Sequence, residues 1–187
     1  MATALEVLAE EASGCTRCKL ADQGRTQVVF GMGNPNADLM FIGEAPGAEE
    51  DKQGLPFVGR SGQLLDRLLL EELGMTRDQC YIANVLKSRP PGNRDPEPDE
   101  IEACRPWLER QIELIEPRVF VTLGNFATKL LLETKDGITK VRGRSYPFRT
   151  GVLIPTFHPA AVLRGGGEPM AQMRADLVRA KLALEAA

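Results

Sequence analysis

No stretch of this chain approaches the ~20 consecutive apolar residues that a bilayer-crossing helix needs, so no membrane partner is expected. Its first residues, Met1 to Glu11, carry acids and no basic segment, which predicts no secretory signal and points to the cytoplasm. No repeat, low-complexity tract or inter-domain linker interrupts the chain, so residues 1–187 are expected to form a single domain. The pair Gly31-x-Gly33 lacks the third glycine and the strand-to-helix setting of a dinucleotide site. Positive charge is not in excess: 23 Lys and Arg against 26 Asp and Glu leave a formal net charge of −3, which speaks against non-specific nucleic-acid binding. His158 is the only histidine. The four cysteines, Cys15, Cys18, Cys80 and Cys104, fit metal or cluster binding better than disulfides in a cytosolic chain of this size.

What is present is an alternation of helices and apolar strands. Residues 38–43, 80–86, 118–123 and 152–157 read as buried strands. Helices are expected over 3–12, from Ser61 to Leu73, from Asp99 to Ile115, from Asn125 to Leu132 and over 169–185. The stretch from Arg89 to Pro98 holds four prolines and must be an extended loop. Mostly apolar strands separated by helices predict an α/β fold, with a four-stranded parallel sheet covered on both faces.

Three strands end in unusual polar loops, 43–51, 84–94 and 158–164, and a parallel sheet gathers them at one edge. Ligands of open α/β sheets bind outside the carboxyl ends of the strands. In the first loop, Gly43, Pro46 and Gly47 force a tight turn, and Glu44, Glu49, Glu50 and Asp51 follow within eight residues. A phosphate cradle would want lysine and an anion-friendly helix start. The acids suit a neutral or developing-positive centre, or else are an ordinary solvated loop.

His158 directly follows a strand and faces that acidic turn. Asn84 lies in an otherwise apolar strand, where a buried amide needs partners, internal or from a ligand. Phe57 is either a core plug or a stacking platform for a planar ring. An amide, a ring, a histidine and a carboxylate together suit a heterocyclic base. Two acid-free basic segments, with Lys87, Arg89 and Arg94 and with Lys140, Arg142, Arg144 and Arg149, are either local phosphate contacts or plain solvated loops.

The ordered motifs carry more than any one of them. They run from Cys15-x-x-Cys18 through Val28-Val29-Phe30-Gly31, Gly33-Asn34-Pro35, Gly43-Glu44-Ala45-Pro46-Gly47 and Pro56-Phe57-Val58-Gly59. Tyr81-Ile82 with Asn84-Val85, Arg89-Pro90-Pro91-x-Asn93-Arg94, Ile138-Thr139-Lys140-Val141-Arg142-Gly143 and Phe157-His158-Pro159-Ala160 follow. In this order they resemble the uracil-DNA glycosylase superfamily, and within it the iron–sulfur-containing family 4 enzymes.

The resemblance implies a three-layer α/β/α sandwich with a four-stranded parallel sheet. It also implies hydrolysis of the N-glycosidic bond of a deoxyuridine flipped out of single- or double-stranded DNA. Glu44 would be the catalytic carboxylate, orienting or activating water and stabilising the sugar cation. His158 would hydrogen-bond uracil O2, and Asn93 would help hold the water. Ala45 would line the uracil site, Asn84 would read the base edge, Phe57 would stack on the ring, and Glu50 would crowd thymine's methyl. Lys140, Arg142, Leu163 and Arg164 would contact DNA. A monomer suffices for one lesion.

The resemblance also implies a [4Fe–4S] cluster, whose ligands map to Cys15, Cys18, Cys104 and position 88, where this chain has Ser88 in place of the family's cysteine. Serine is a harder and far less acidic ligand than thiolate. Cys80 lies at the other end of its strand, roughly 25 Å away at ~3.3 Å per residue. Three readings stay open. The cluster persists with three thiolates and a weak or oxygen ligand, it is absent, or Ser88 is an engineered change. A bound cluster is preferred, in a structural role.

No lysine nucleophile is apparent in the pocket, so Schiff-base strand cleavage is not expected. The alternatives are a catalytically weak or inactive uracil-DNA-binding protein on the same fold and an iron–sulfur electron-transfer protein. The scattered cysteines disfavour the second.

Overall fold

The computed structural model describes residues 3–187. Along the chain lie α1 (Ala4–Ser13), β1 (Met32–Gly33), β2 (Leu39–Gly43), α2 (Ala48–Gln53), α3 (Arg60–Leu68), β3 (Tyr81–Asn84) and α4 (Pro98–Ile115). There follow β4 (Val119–Leu123), α5 (Asn125–Leu132), α6 (Ile138–Val141), β5 (Tyr146–Phe148), β6 (Gly151–Thr156), α7 (Pro159–Gly165) and α8 (Gly167–Ala186).

The strands form one sheet in the order β1-β3-β2-β4-β6-β5. Its centre is the expected parallel set, β3, β2, β4 and β6. The expectation of four strands falls short by two, because β1 and β5 add antiparallel edges. Both are too short, at two and three residues, to show a strand period in sequence. Residues 85–86, expected to belong to β3, lie beyond its regular end at Asn84, although their N–H groups still bond the chain leaving β2.

Alternation along β2 divides the core. Leu39 and Phe41 face Leu64, Leu65 and Leu68 of α3 and Met173 and Leu177 of α8. Met40 and Ile42 face Leu108 and Ile112 of α4 and Ala127 of α5. This is the three-layer α/β/α arrangement, each face sealed by helices whose apolar stripes recur at helical spacing. α1 lies outside α4, where Leu8, Ala12, Phe30 and Trp107 make a small third cluster. Its start is fixed by a capping box between Thr3 and Glu6.

The helix through 62–73 differs in detail. Its regular part ends at Leu68, and residues 69–73 widen into a π turn closed by Gly74 at φ +65°. Among the described residues no helix is long and apolar enough to cross a membrane.

Register aligns the carboxyl ends of the parallel strands. Gly43 pairs with Asn84, Ile42 with Thr122, and Leu123 with Thr156. The segments that leave these four ends share one edge, and a cavity of about 470 Å³ opens between them.

Candidate active site

Gly43 is the pivot of this edge. A Cβ at this position would meet Asn84 Oδ1 at 2.5 Å and Phe57 Cζ at 2.5 Å. Only a residue without a side chain lets the amide and the ring close on the strand end. Phe57 is held in the left-handed region at φ +51°, a conformation that costs a non-glycine residue energy and is maintained by its surroundings. Arg77 supplies part of that hold, donating to Pro56 O at 3.0 Å and to Phe57 O at 2.6 Å. Gly62 supplies the room, since a Cβ there would lie 1.7 Å from Phe57 O.

Asn84 ends β3 and is 2% exposed. Its Oδ1 is buried without a hydrogen-bond partner, where nearly all buried polar atoms have one. The strand that carries it is anchored from behind. Lys87 Nζ donates to Asn84 O at 2.8 Å and to Gln111 Oε1 at 2.6 Å. Lys87 is therefore no solvated phosphate contact; it is 2% exposed, and burial pushes its ammonium down to about 7.

His158 caps α7, its Nδ1 accepting from Ala160 N at 3.1 Å. That bond puts the proton of the neutral ring on Nε2, the nitrogen left for a ligand. Burial, and then the Arg164 cation, push the imidazole down to about 4 against the pull of Glu50, so it is neutral at pH 7. Its ring centroid is 5.7 Å from that of Phe57, tilted by 31°.

Glu44 is half-buried across the cavity. Burial, and then the Asp95 carboxylate, raise its carboxyl above the ordinary range. Glu50 also lines the cavity, but its carboxylate is fully engaged. It accepts from the backbone N–H groups of Gly47, Val58 and Gly59, each at 3.1 Å. Asn93 stands at φ +55° and accepts from Arg89 Nε at 2.7 Å. Ala45 completes the wall beside Glu44.

Comparison with known proteins shows the family. Residues 30–180 match the Uracil DNA glycosylase superfamily. The chain is similar to the type-4 uracil-DNA glycosylase of Sulfurisphaera tokodaii, 52% identical over 85% of this chain and 76% of the relative. The type-4 enzyme of Thermotoga maritima is 48% identical over 86% and 83% of the two chains. A type-5 enzyme of Thermus thermophilus reaches 31% over 78% and 71%.

The chain belongs to the uracil DNA glycosylase superfamily.

The superfamily edge holds residues that strand-end reasoning passed over. Asn125 and Phe126 follow β4 into the cavity, and Asp95 and Phe157 line it as well. The signal was the fourth strand end: a parallel sheet brings all its strand ends to one edge, and Gly124-Asn125 leaves β4 there. The stretch 158–164, expected as a loop, is largely helix α7, with Pro159 at its first position.

Of the basic positions, Arg164 lines the cavity and its neighbour Leu163 is 41% exposed. Lys140 is exposed and pairs with Asp136 at 2.9 Å. Arg142 is different: its guanidinium faces Asp176 at 2.5 Å, with little exposure.

Cys15, Cys18, Ser88 and Cys104 belong to a separate corner, under α1 and α4. Trp107 Nε1 donates to Cys15 Sγ at 3.3 Å. Burial pushes the Cys104 thiol up, the Lys87 backbone N–H and charge pull it down, and the nearby Cys18 and Cys15 push it up again. The Ser88 hydroxyl is occupied, accepting from Arg25 Nη1 at 3.0 Å, while Arg25 Nη2 holds Cys15 O at 2.6 Å. Among the described residues, no three of His, Cys, Asp or Glu are grouped to hold a metal ion. A four-thiolate cluster therefore does not fit this donor set: one position offers a hydroxyl already bonded to a guanidinium. Cys80 supplies nothing, since it is buried in the core on the other face of the sheet, which pushes its thiol up to about 12. Replacing Ser88 by cysteine adds the missing thiolate. Iron bound per chain, assayed after anaerobic purification, is expected to be higher in Ser88→Cys than in the parent, and equal iron would remove position 88 from the question.

Proposed function

We propose that residues 1–187 act as one monomeric, cytoplasmic glycosylase domain that removes uracil from DNA and leaves an abasic site. The observation that carries this reading is the orphaned Oδ1 of Asn84, a residue that lines the cavity with Phe57. Uracil meets it with complementary groups: N3–H donates to Oδ1, and O4 accepts from the same amide. Cytosine presents an acceptor and an amine instead, and would leave both amide atoms mismatched. A buried unmet hydrogen bond costs about 1–3 kcal/mol.

Within this reading the base is flipped out and stacks on Phe57. Glu50 excludes thymine, since three backbone N–H bonds stop its carboxylate swinging away from a C5 methyl. His158 donates Nε2–H to uracil O2 as negative charge leaves with the base. A neutral donor with a low pKa stabilises that charge without having to take up a proton. Glu44, ionised, faces the opposite side of the sugar, where it orients water and offsets the developing positive charge. Asn93, its Oδ1 fixed by Arg89, keeps its amide nitrogen for that water. Lys140 and Arg164 meet phosphates, and Leu163 fills the gap left in the base stack. Ala45 leaves room for the ring.

The test is release of base from an oligonucleotide carrying one uracil, read as alkali-labile abasic sites. Cleavage at uracil and none at thymine or cytosine is expected. A folded protein that binds the uracil strand without cutting would instead be a binder on the same fold.

A pH prediction follows from Glu44. Its ionised form is active, so the rate falls as pH drops through its raised pKa. Asp95→Asn removes one cause of that rise and is expected to move the acidic limb to lower pH. A pH–rate profile with an unmoved limb would show that Asp95 does not act on Glu44.

A further inference from the structure

Asp176 does not line the cavity but lies against the end of the strand that delivers His158. It is 2% exposed, on α8. Its carboxylate accepts from Thr156 Oγ1 at 2.7 Å and from Arg142 Nε and Nη2 at 3.0 and 2.5 Å. Arg142 also donates to Gln172 O at 3.2 Å, and its guanidinium lies 5.6 Å from the centre of the ring of Phe157, the residue before His158. The next residue, Gly143, donates to Pro155 O at 3.0 Å. At φ +73° it carries no Cβ where one would lie 2.6 Å from Asp176 Oδ1. Residues 155, 156 and 157 are thus each held by this one assembly, immediately before His158.

A buried ion pair is weak evidence for stability, because desolvation offsets much of its attraction. Its value lies in fixed geometry: a bidentate fork holds a planar group at one angle. We propose that Arg142 and Asp176 are positioning residues for His158. They clamp the end of β6 so that the imidazole keeps Nδ1 on Ala160 N and turns Nε2–H towards the base. The consequence for catalysis rests on the glycosylase reading; the consequence for the ring does not. Arg142 then acts through Asp176, Thr156 and Phe157 and not on a phosphate.

Because His158 is the only histidine, the imidazole nitrogens of the whole protein give one set of ¹⁵N signals. The free parent protein is expected to show a single tautomer with the proton on Nε2. In Asp176→Asn the two ring nitrogens are expected to shift towards each other, as a mixed tautomer. Single-turnover uracil release should fall roughly 10- to 100-fold, the scale of a misplaced catalytic group. Affinity for uracil-DNA and its salt dependence should stay unchanged. Arg142→Lys keeps the charge facing Asp176 and guards against a variant that does not fold; it should show the same changes in weaker form. An unchanged imidazole spectrum in either folded variant overturns the proposal. So does weaker DNA binding with a salt slope reduced by about one at unchanged rate, which marks a phosphate contact. If the parent releases no uracil, the glycosylase reading fails, and the ¹⁵N spectra alone still decide whether the pair orients the ring.

Discussion

Glu44→Gln is expected to slow single-turnover uracil release by roughly 10²- to 10⁴-fold, the range for loss of a positioned acid–base group. The amide keeps the size of the carboxyl and can still hydrogen-bond water. It cannot hold a negative charge against the sugar as the glycosidic bond lengthens. Its backbone stays in place, because Glu44 O accepts from Leu86 N at 3.0 Å and Gly43 O from Val85 N at 2.9 Å without help from the side chain. Binding of uracil-DNA should therefore survive, and a fluorescence-anisotropy titration beside the rate separates the two. A variant as fast as the parent would take Glu44 out of the chemistry.

The second large effect is on choice of base. A site built to hydrogen-bond a substrate rejects an analogue with the wrong pattern by as much as ~10⁴–10⁵-fold. Asn84→Asp replaces the amide by a carboxyl that burial keeps protonated, which offers a hydroxyl donor to cytosine N3 and an acceptor to its amine. The preference for uracil over cytosine is expected to fall by roughly 10²-fold or more, mostly through slower uracil release. The shape of the site should not change, since Lys87, itself held by Gln111, grips the backbone and not the side chain at this position. Rates on matched uracil and cytosine oligonucleotides measure the ratio. Unchanged discrimination would mean that another group reads the base edge.

Much of this site is legible in the residues because its parts follow strand ends. An apolar run such as Leu39 to Ile42 announces a buried strand, and Gly43-Glu44 after it announces a turn with a carboxylate at the sheet edge. The same logic placed Asn84 and His158. It failed where a side chain's partner is distant in sequence. Arg142 reads as a free cation in a basic loop, but Asp176 arrives 34 residues later, on a helix, to take its guanidinium. Lys87 reads as a loop cation, but α4 brings Gln111 to bury it. Glu50 reads as one of four lip acids, yet its carboxylate is spent on three backbone N–H groups of its own and the next turn.

The remaining misses are matters of length. β1 and β5 have too few residues to show a period, and β5 carries Pro147, which suits only an edge. α2 hides in the acidic loop because its six residues are mostly charged. At the cysteine corner, the sequence shows a serine at position 88, while only the fold shows that Arg25 holds its hydroxyl.

The most direct measurement is a crystal structure of the Glu44→Gln protein with a DNA strand carrying one deoxyuridine. Uracil is expected in the cavity, stacked on Phe57, with N3–H on Asn84 Oδ1 and O2 on His158 Nε2. A uracil left in the base stack, or bound with its edge turned away from Asn84, would contradict the assignment of this pocket.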